Sequence, residues 1–178
     1  YAMEYLEGLT LTQLVELCGP LPPARAAFIM RQVAGSLAEA HGFGLIHRDI
    51  KPDNILICDR GGTCDFAKVL DFGLVKDIKS GDASLSNVNL MVGTPAYMSP
   101  EAITAPSSVA FPRDLYAIGA VTYFLLTGRE VFQGRTTMEV CTHHVRTPPE
   151  PPSRVLGSPL PEALEQLILT CLAKDPSA

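Results

Sequence analysis

The chain has 178 residues, 47% of them hydrophobic, which is enough for one domain with a real core and no more. Its formal net charge is -5, and Lys and Arg are scattered, so the basic footprint of a nucleic-acid binder and the polybasic segment of a membrane-surface binder are both missing. Five cysteines, an odd number with no CxxC pair, read as reduced thiols rather than a disulfide framework.

In chain order, "YAMEYLEG" starts inside what looks like a strand. "LTLTQLVELCG" then repeats apolar residues at helical spacing (Leu11, Leu14, Val15) and closes at Gly19-Pro20. "PPARAAFIMRQVAGSLAEAHGFG" opens on prolines suited to a first helical turn and is Ala-rich. It predicts a long helix capped at Gly42 or Gly44. "NILICDRGGTCDFAKVL" predicts a small hairpin turning at Gly61-Gly62. Residues 79–89 are small, polar and aperiodic, a loop pattern. Further helices are expected over 115–127, 138–144 and 162–173. The apolar run 115–128 is too short to cross a bilayer, so it reads as a buried helix. "RTPPEPPSRVLGSPLP" reads as a proline-rich surface connection, too short to be a disordered domain.

Chemistry concentrates in "LIHRDIKPDNILI", residues 45–57, where charged and amide side chains sit between apolar flanks. A hydroxyl attacking phosphorus needs a carboxylate to orient it and take its proton, cations for the phosphate, and oxygen ligands for Mg²⁺. Asp49, Lys51 and Asn54 supply a base, a cation and a metal ligand within one loop. Asp71 follows the second strand of the hairpin, and Gly73 gives the backbone latitude to turn there. Cys141, His143 and His144 lack the second half of a zinc site and are set aside. The two histidines read as surface or helix-end residues. "GFGLIH" at Gly42 follows a helix and is not a phosphate-binding glycine loop.

His47-Arg48-Asp49 with Lys51 and Asn54, then Asp71-Phe72-Gly73, then "GTPAYMSPE" from Gly93 to Glu101, resembles the protein kinase family along nearly the whole chain. The resemblance implies an α+β protein-kinase-like fold, this chain covering the mainly α-helical C-terminal lobe with a small β-hairpin. It divides the chain into a hinge at 1–8 and a large lobe at 9–178, with a catalytic loop at 47–54 and an activation segment at 71–101. It implies Asp49 as catalytic base, Lys51 as the cation steadying the γ-phosphate of ATP, and Asn54 and Asp71 as Mg²⁺ ligands. Phe72 would pack to set an active or inactive position, with the His47 ring against the Phe72 region. Lys51 matches the serine/threonine type, Thr94 in Gly93-Thr94-Pro95 resembles the serine/threonine version of the family's substrate-facing loop, and the composition fits bacterial kinases of the eukaryotic type.

By the same resemblance, adenine would meet the hinge at the carbonyl of Glu4 and the amide of Leu6, with Met3 as gatekeeper and Leu56 as the apolar floor. Asp114 would accept backbone amides of the catalytic loop. Arg48 implies a phosphate in the activation segment, on Ser86 by its distance from Gly93 or else on Ser84, with Lys76 helping to hold it. The glycine-rich loop, strand lysine and helix glutamate of the N-terminal β lobe precede the hinge in this family and are absent here. The chain therefore reads as a partial catalytic domain, inactive and marginal by itself. The Arg that usually pairs with Glu101 would come next after "KDPSA", so Glu101 is expected to lack its partner. Expected partners are ATP and a protein carrying Ser or Thr, with no nucleic acid and no membrane contact from this segment. The resemblance also allows a dimer through the lobes, and a cytoplasmic domain whose parent is membrane-anchored. The competing class is a kinase-like scaffold without catalysis.

Overall fold

A computed structural model of the chain describes residues 6–70, 94–105 and 111–176. The element nearest the start is a two-residue strand, β1 (Leu9–Thr10), which runs straight into α1 (Leu11–Cys18). Thr10 makes that junction. Its hydroxyl accepts from the Gln13 amide at 3.2 Å, and the Gln13 side chain accepts from the Thr10 amide at 3.0 Å. This reciprocal pair satisfies two donors that a helix start leaves open. Gly19 at φ 72° ends the helix.

The long helix α2 (Pro23–Gly42) places proline in its first turn, where no amide donor is lost. Its buried residues Ala26, Ile29, Met30, Val33 and Leu37 fall on one stripe. Gly44, at φ 76°, then turns the chain toward the 45–57 run. A 3₁₀ turn (Pro52–Asn54) leads into β2 (Ile55–Arg60), which pairs antiparallel with β1 and with β3 (Thr63–Val69). Gly61 and Gly62 both have positive φ, as a two-residue hairpin turn needs.

Strand alternation divides the sheet. Ile55, Ile57 and Ala67 join the main core, while Leu56, 9% exposed, is turned to the other face. Opposite Leu56 in register stand Thr10 and Lys68.

Past a second 3₁₀ turn (Pro95–Tyr97) and α3 (Pro100–Thr104), helix α4 (Pro112–Thr127) forms the axis of the domain and is buried on nearly every face. Helices α2 and α7 (Glu162–Cys171) pack on it. At Gly119 the approach of α7 is so close that a Cβ would lie 2.6 Å from that of Cys171. Only glycine fits there without a shift. Helix α5 (Thr137–Arg146) packs beside α3 and the Pro95–Tyr97 turn.

The expected helices and hairpin are present to within a few residues at each end. The proline-rich connection also carries a short helix, α6 (Pro152–Leu156), which the sequence reading did not name. Proline at its first position is compatible with a helix, and the carboxylate of Glu165 accepts from the Ser153 amide at 2.8 Å. The 79–89 loop lies outside the described residues. Among the described residues, no helix is long and apolar enough to cross a membrane.

Candidate active site

The apolar flanks of the 45–57 run explain how so much charge can sit beside a core. Ile46, Ile50 and Ile55 are 5%, 2% and 0% exposed and anchor the loop from below. The polar groups between them face one another. The Asp49 carboxylate receives Asn54 Nδ2 at 3.0 Å and lies 2.9 Å from Lys51 Nζ, both on Oδ2. Asn54 Nδ2 also donates to the Asp49 carbonyl at 2.8 Å. Its amide is thereby oriented: the nitrogen is committed to Asp49 and the oxygen Oδ1 is left as an acceptor. The side chains of Asp49 and Lys51 are each 23% exposed, so the charged pair keeps contact with solvent and with any molecule docked above it.

Asp114 holds this loop from beneath. It is 1% exposed, and a carboxylate buried so deeply must be paired. Its Oδ1 accepts from the Arg48 amide at 2.9 Å, and its Oδ2 accepts from the His47 amide at 2.9 Å and from His41 Nε2 at 2.8 Å. The two amide bonds fix an unusual backbone. Arg48 is a non-glycine residue at φ 67°, a conformation that costs about 1–3 kcal/mol unless its surroundings enforce it. His47, 4% exposed, ties the loop to the hairpin, since its Nε2–H donates to the Leu70 carbonyl at 2.8 Å. That leaves Nδ1 as an acceptor for the Asp49 amide at 3.3 Å. The Leu70 amide in turn donates to the Asn54 carbonyl at 2.8 Å. The residue preceding Asp71 is therefore locked to the Asp49–Asn54 loop from both sides.

Of the residues singled out in the sequence, Asp49, Lys51 and Asn54 converge on one another, and Leu56 lies on the sheet face away from the core. Leu6 is half-buried near the start of β1. Met3, Glu4 and Asp71 lie outside the described residues, as do Phe72, Lys76, Ser84 and Ser86. The anchor found for His47 is the Leu70 carbonyl. Glu101 Oε1 is buried with no hydrogen bond among the described residues. Arg113, which donates to the carbonyl of Ala105 at 2.7 Å, is the nearby cation acting on it.

Two residues escaped the sequence reading. His41 is 73 positions from Asp114 in the chain, and its only signal was a lone histidine in the last turn of a helix. His144 is a correction. It is not at the surface but 0% exposed, with Nδ1 2.8 Å from the Tyr116 hydroxyl. Burial pushes its pKa down to about 4, with the nearby Lys174 ammonium acting the same way.

Comparison with known proteins shows the family of the chain. The family model described as "Protein kinase domain" matches residues 1–178. The chain is 40% identical over 179 residues to the serine/threonine-protein kinase pkn3 of Myxococcus xanthus, covering 99% of this chain and 32% of that protein. Against the serine/threonine-protein kinase PrkC of Bacillus subtilis the identity is 39%, over 98% of this chain and 26% of that one. Against PknB of Mycolicibacterium smegmatis it is 37%, over 98% and 27%. The chain thus spans about a quarter to a third of the length of these relatives. Among solved structures, that of Rad53 residues 1–466 in complex with AMP-PNP superposes with a TM-score of 0.77 at 28% identity. The match covers 98% of this chain and 42% of that one.

Proposed function

The chain belongs to the protein kinase family, and from that premise we propose that the protein containing it transfers the γ-phosphoryl of MgATP to Ser or Thr hydroxyls of proteins. One observation carries the reading: the Asp49 carboxylate, partly open to solvent, is held by Asn54 and Lys51 in a loop whose backbone hangs on Asp114. A carboxylate so fixed can accept the proton of a substrate hydroxyl as its oxygen attacks phosphorus and ADP departs. The Lys51 ammonium, 2.9 Å from that carboxylate, is placed to meet phosphate charge. The free Oδ1 of Asn54 suits a hard cation, so Asn54 together with Asp71 would hold Mg²⁺, which neutralises charge on the phosphates when bound. Leu56, on the outer face of the sheet, offers an apolar surface for adenine, and by the family resemblance Met3, Glu4 and Leu6 would supply the hinge contacts. The similar Rad53 structure is a complex with AMP-PNP, which supports a nucleotide at this place.

The test uses the full-length protein with γ-labelled ATP, Mg²⁺ and a generic protein substrate. Wild type is expected to label Ser or Thr. Asp49→Asn should lower the rate about 10²–10⁴-fold while leaving unfolding unchanged, the loss expected for removing a general base. Asp71→Asn should abolish transfer at working Mg²⁺. A folded wild-type protein, phosphorylated in its activation segment and still unable to label any substrate, would leave a kinase-like scaffold.

A further inference from the structure

The Thr94–Tyr97 segment is half-buried to buried and sits on α4 and α5. Beneath it lies a group of polar side chains that the phosphoryl-transfer chemistry does not use. His144 of α5, 0% exposed, points Nδ1 at the Tyr116 hydroxyl of α4, 2.8 Å away. Lys174, just beyond α7, reaches the same hydroxyl at 3.4 Å. Its ammonium also stands 4.4 Å from the centroid of the Phe132 ring, which meets His144 edge-on at 5.0 Å.

Donor chemistry sets the direction of this chain. An ammonium can only donate, so the Tyr116 oxygen accepts from Lys174, and its own proton is free to be donated to His144 Nδ1. A neutral imidazole accepting at Nδ1 carries its hydrogen on Nε2. That nitrogen is fully buried and has no formed hydrogen bond among the described residues. A buried donor left open costs about 1–3 kcal/mol, so some acceptor should be in reach. The backbone of Ala96, the middle of the Pro95–Tyr97 turn, lies close enough to favour the protonated ring. Burial and the facing Lys174 ammonium nevertheless keep the ring neutral.

We propose that His144 is a positioning residue for protein substrate, its Nε2–H engaging the Ala96 carbonyl to set the Thr94–Tyr97 segment, with Lys174 and Tyr116 fixing the ring from behind. The inference rests on the kinase reading, in which this segment faces the substrate. His144 touches neither the phosphates nor the reacting hydroxyl. Its effect therefore belongs in substrate binding and not in the handling of ATP.

The experiment measures KM separately for ATP and for a peptide or protein substrate in the full-length protein. His144→Leu should raise the substrate KM about tenfold, the worth of one buried hydrogen bond, and leave the ATP KM within about twofold. His144→Gln, whose amide nitrogen reaches toward the Nε2 position, should recover most of that loss. Tyr116→Phe, which deletes one oxygen, should raise the substrate KM about threefold. An unchanged substrate KM, equal shifts for both ligands, or a Gln variant no better than Leu would overturn the proposal. If His144→Leu does not fold, Tyr116→Phe decides alone, and an unchanged substrate KM in it counts against the proposal. A wild-type protein that transfers no phosphate refutes the kinase reading instead, so the two failures are distinct.

Discussion

Helix α4 carries two hydrogen-bond assemblies rooted two residues apart, at Asp114 and at Tyr116, and they solve burial in opposite ways. The Asp114 carboxyl is accommodated in the core because three donors converge on it: two backbone amides and an imidazole. The group around Tyr116 keeps its histidine neutral and leaves one donor open among the described residues. The first arrangement is complete within the loop it serves and makes that loop rigid. The second is incomplete among the described residues and adjoins the Thr94–Tyr97 segment, which the proposed reading turns toward protein substrate. A satisfied network fixes a conformation, whereas an open donor leaves free energy to be gained when its acceptor closes on it.

The largest test of that contrast is Asp114→Ala. It leaves the His47 and Arg48 amides and His41 without their acceptor, and it frees Arg48 to leave its strained φ. Breaking a buried charged assembly of this kind costs about 3–5 kcal/mol, a large share of the stability of one domain. Urea unfolding should show the stability falling by that amount, with phosphoryl transfer lost even in the fraction still folded. A loss under about 1 kcal/mol would mean that the Leu70 and Asn54 links hold the loop by themselves, and the contrast would collapse.

The second assembly should show itself through pH. His144 titrates near 4 in the folded state, against about 6.5 in an unfolded chain. Below pH 6.5 the unfolded chain takes up a proton that the folded one refuses. Stability therefore falls as pH drops from about 6.5 to 4, and this one group accounts for about 3 kcal/mol of it. Carboxylates titrate over part of the same range, so the measurement is the difference between wild type and His144→Gln. The wild-type curve should be steeper by that amount. Lys174, lowered to about 8 by burial, adds a trend of the same sign in a higher window: stability rises as pH climbs from about 8 toward 10.5. Parallel curves for wild type and His144→Gln would mean that His144 is not held neutral, which would remove the basis for the contrast.

The same contrast governs what the sequence discloses. Asp49, Lys51 and Asn54 are legible because residues that act together lie within six positions of one another, in a run whose apolar flanks mark it as anchored. The helices are legible from their stripes, and the hairpin from adjacent glycines. His41 and His144 are not, because each acquires meaning only from a partner far along the chain: 73 positions to Asp114 and 28 to Tyr116. On α5, His144 stands beside His143 and near Arg146 at a helix end, a pattern that ordinarily marks a solvated terminus. The fold inverts it, because Phe132 and Tyr116 cover that face. Helix α6 was hidden by its prolines, which mark a loop in composition yet are tolerated in a first turn.

The smallest expected effect concerns the hairpin that supplies the Leu70 carbonyl. Arg25 of α2 grips Asp65 of β3 through two bonds of 2.8 Å, 40 positions apart in sequence. Asp65 sits at φ 57°, so the contact helps to hold another left-handed residue. Yet the two side chains are 37% and 21% exposed, and water screens the pair. Gln32 supports the same stretch independently, donating to the Asp65 carbonyl at 2.9 Å and accepting from the Ala67 amide at 3.2 Å. Arg25→Ala should therefore cost about 1 kcal/mol in urea unfolding, with both KM values and the transfer rate unchanged. Arg25→Lys should recover little, since an ammonium cannot form the bidentate pair. If transfer falls along with stability, the hairpin sets the position of the Asp49 loop through His47, and Asp114 is then only one of two supports that loop requires.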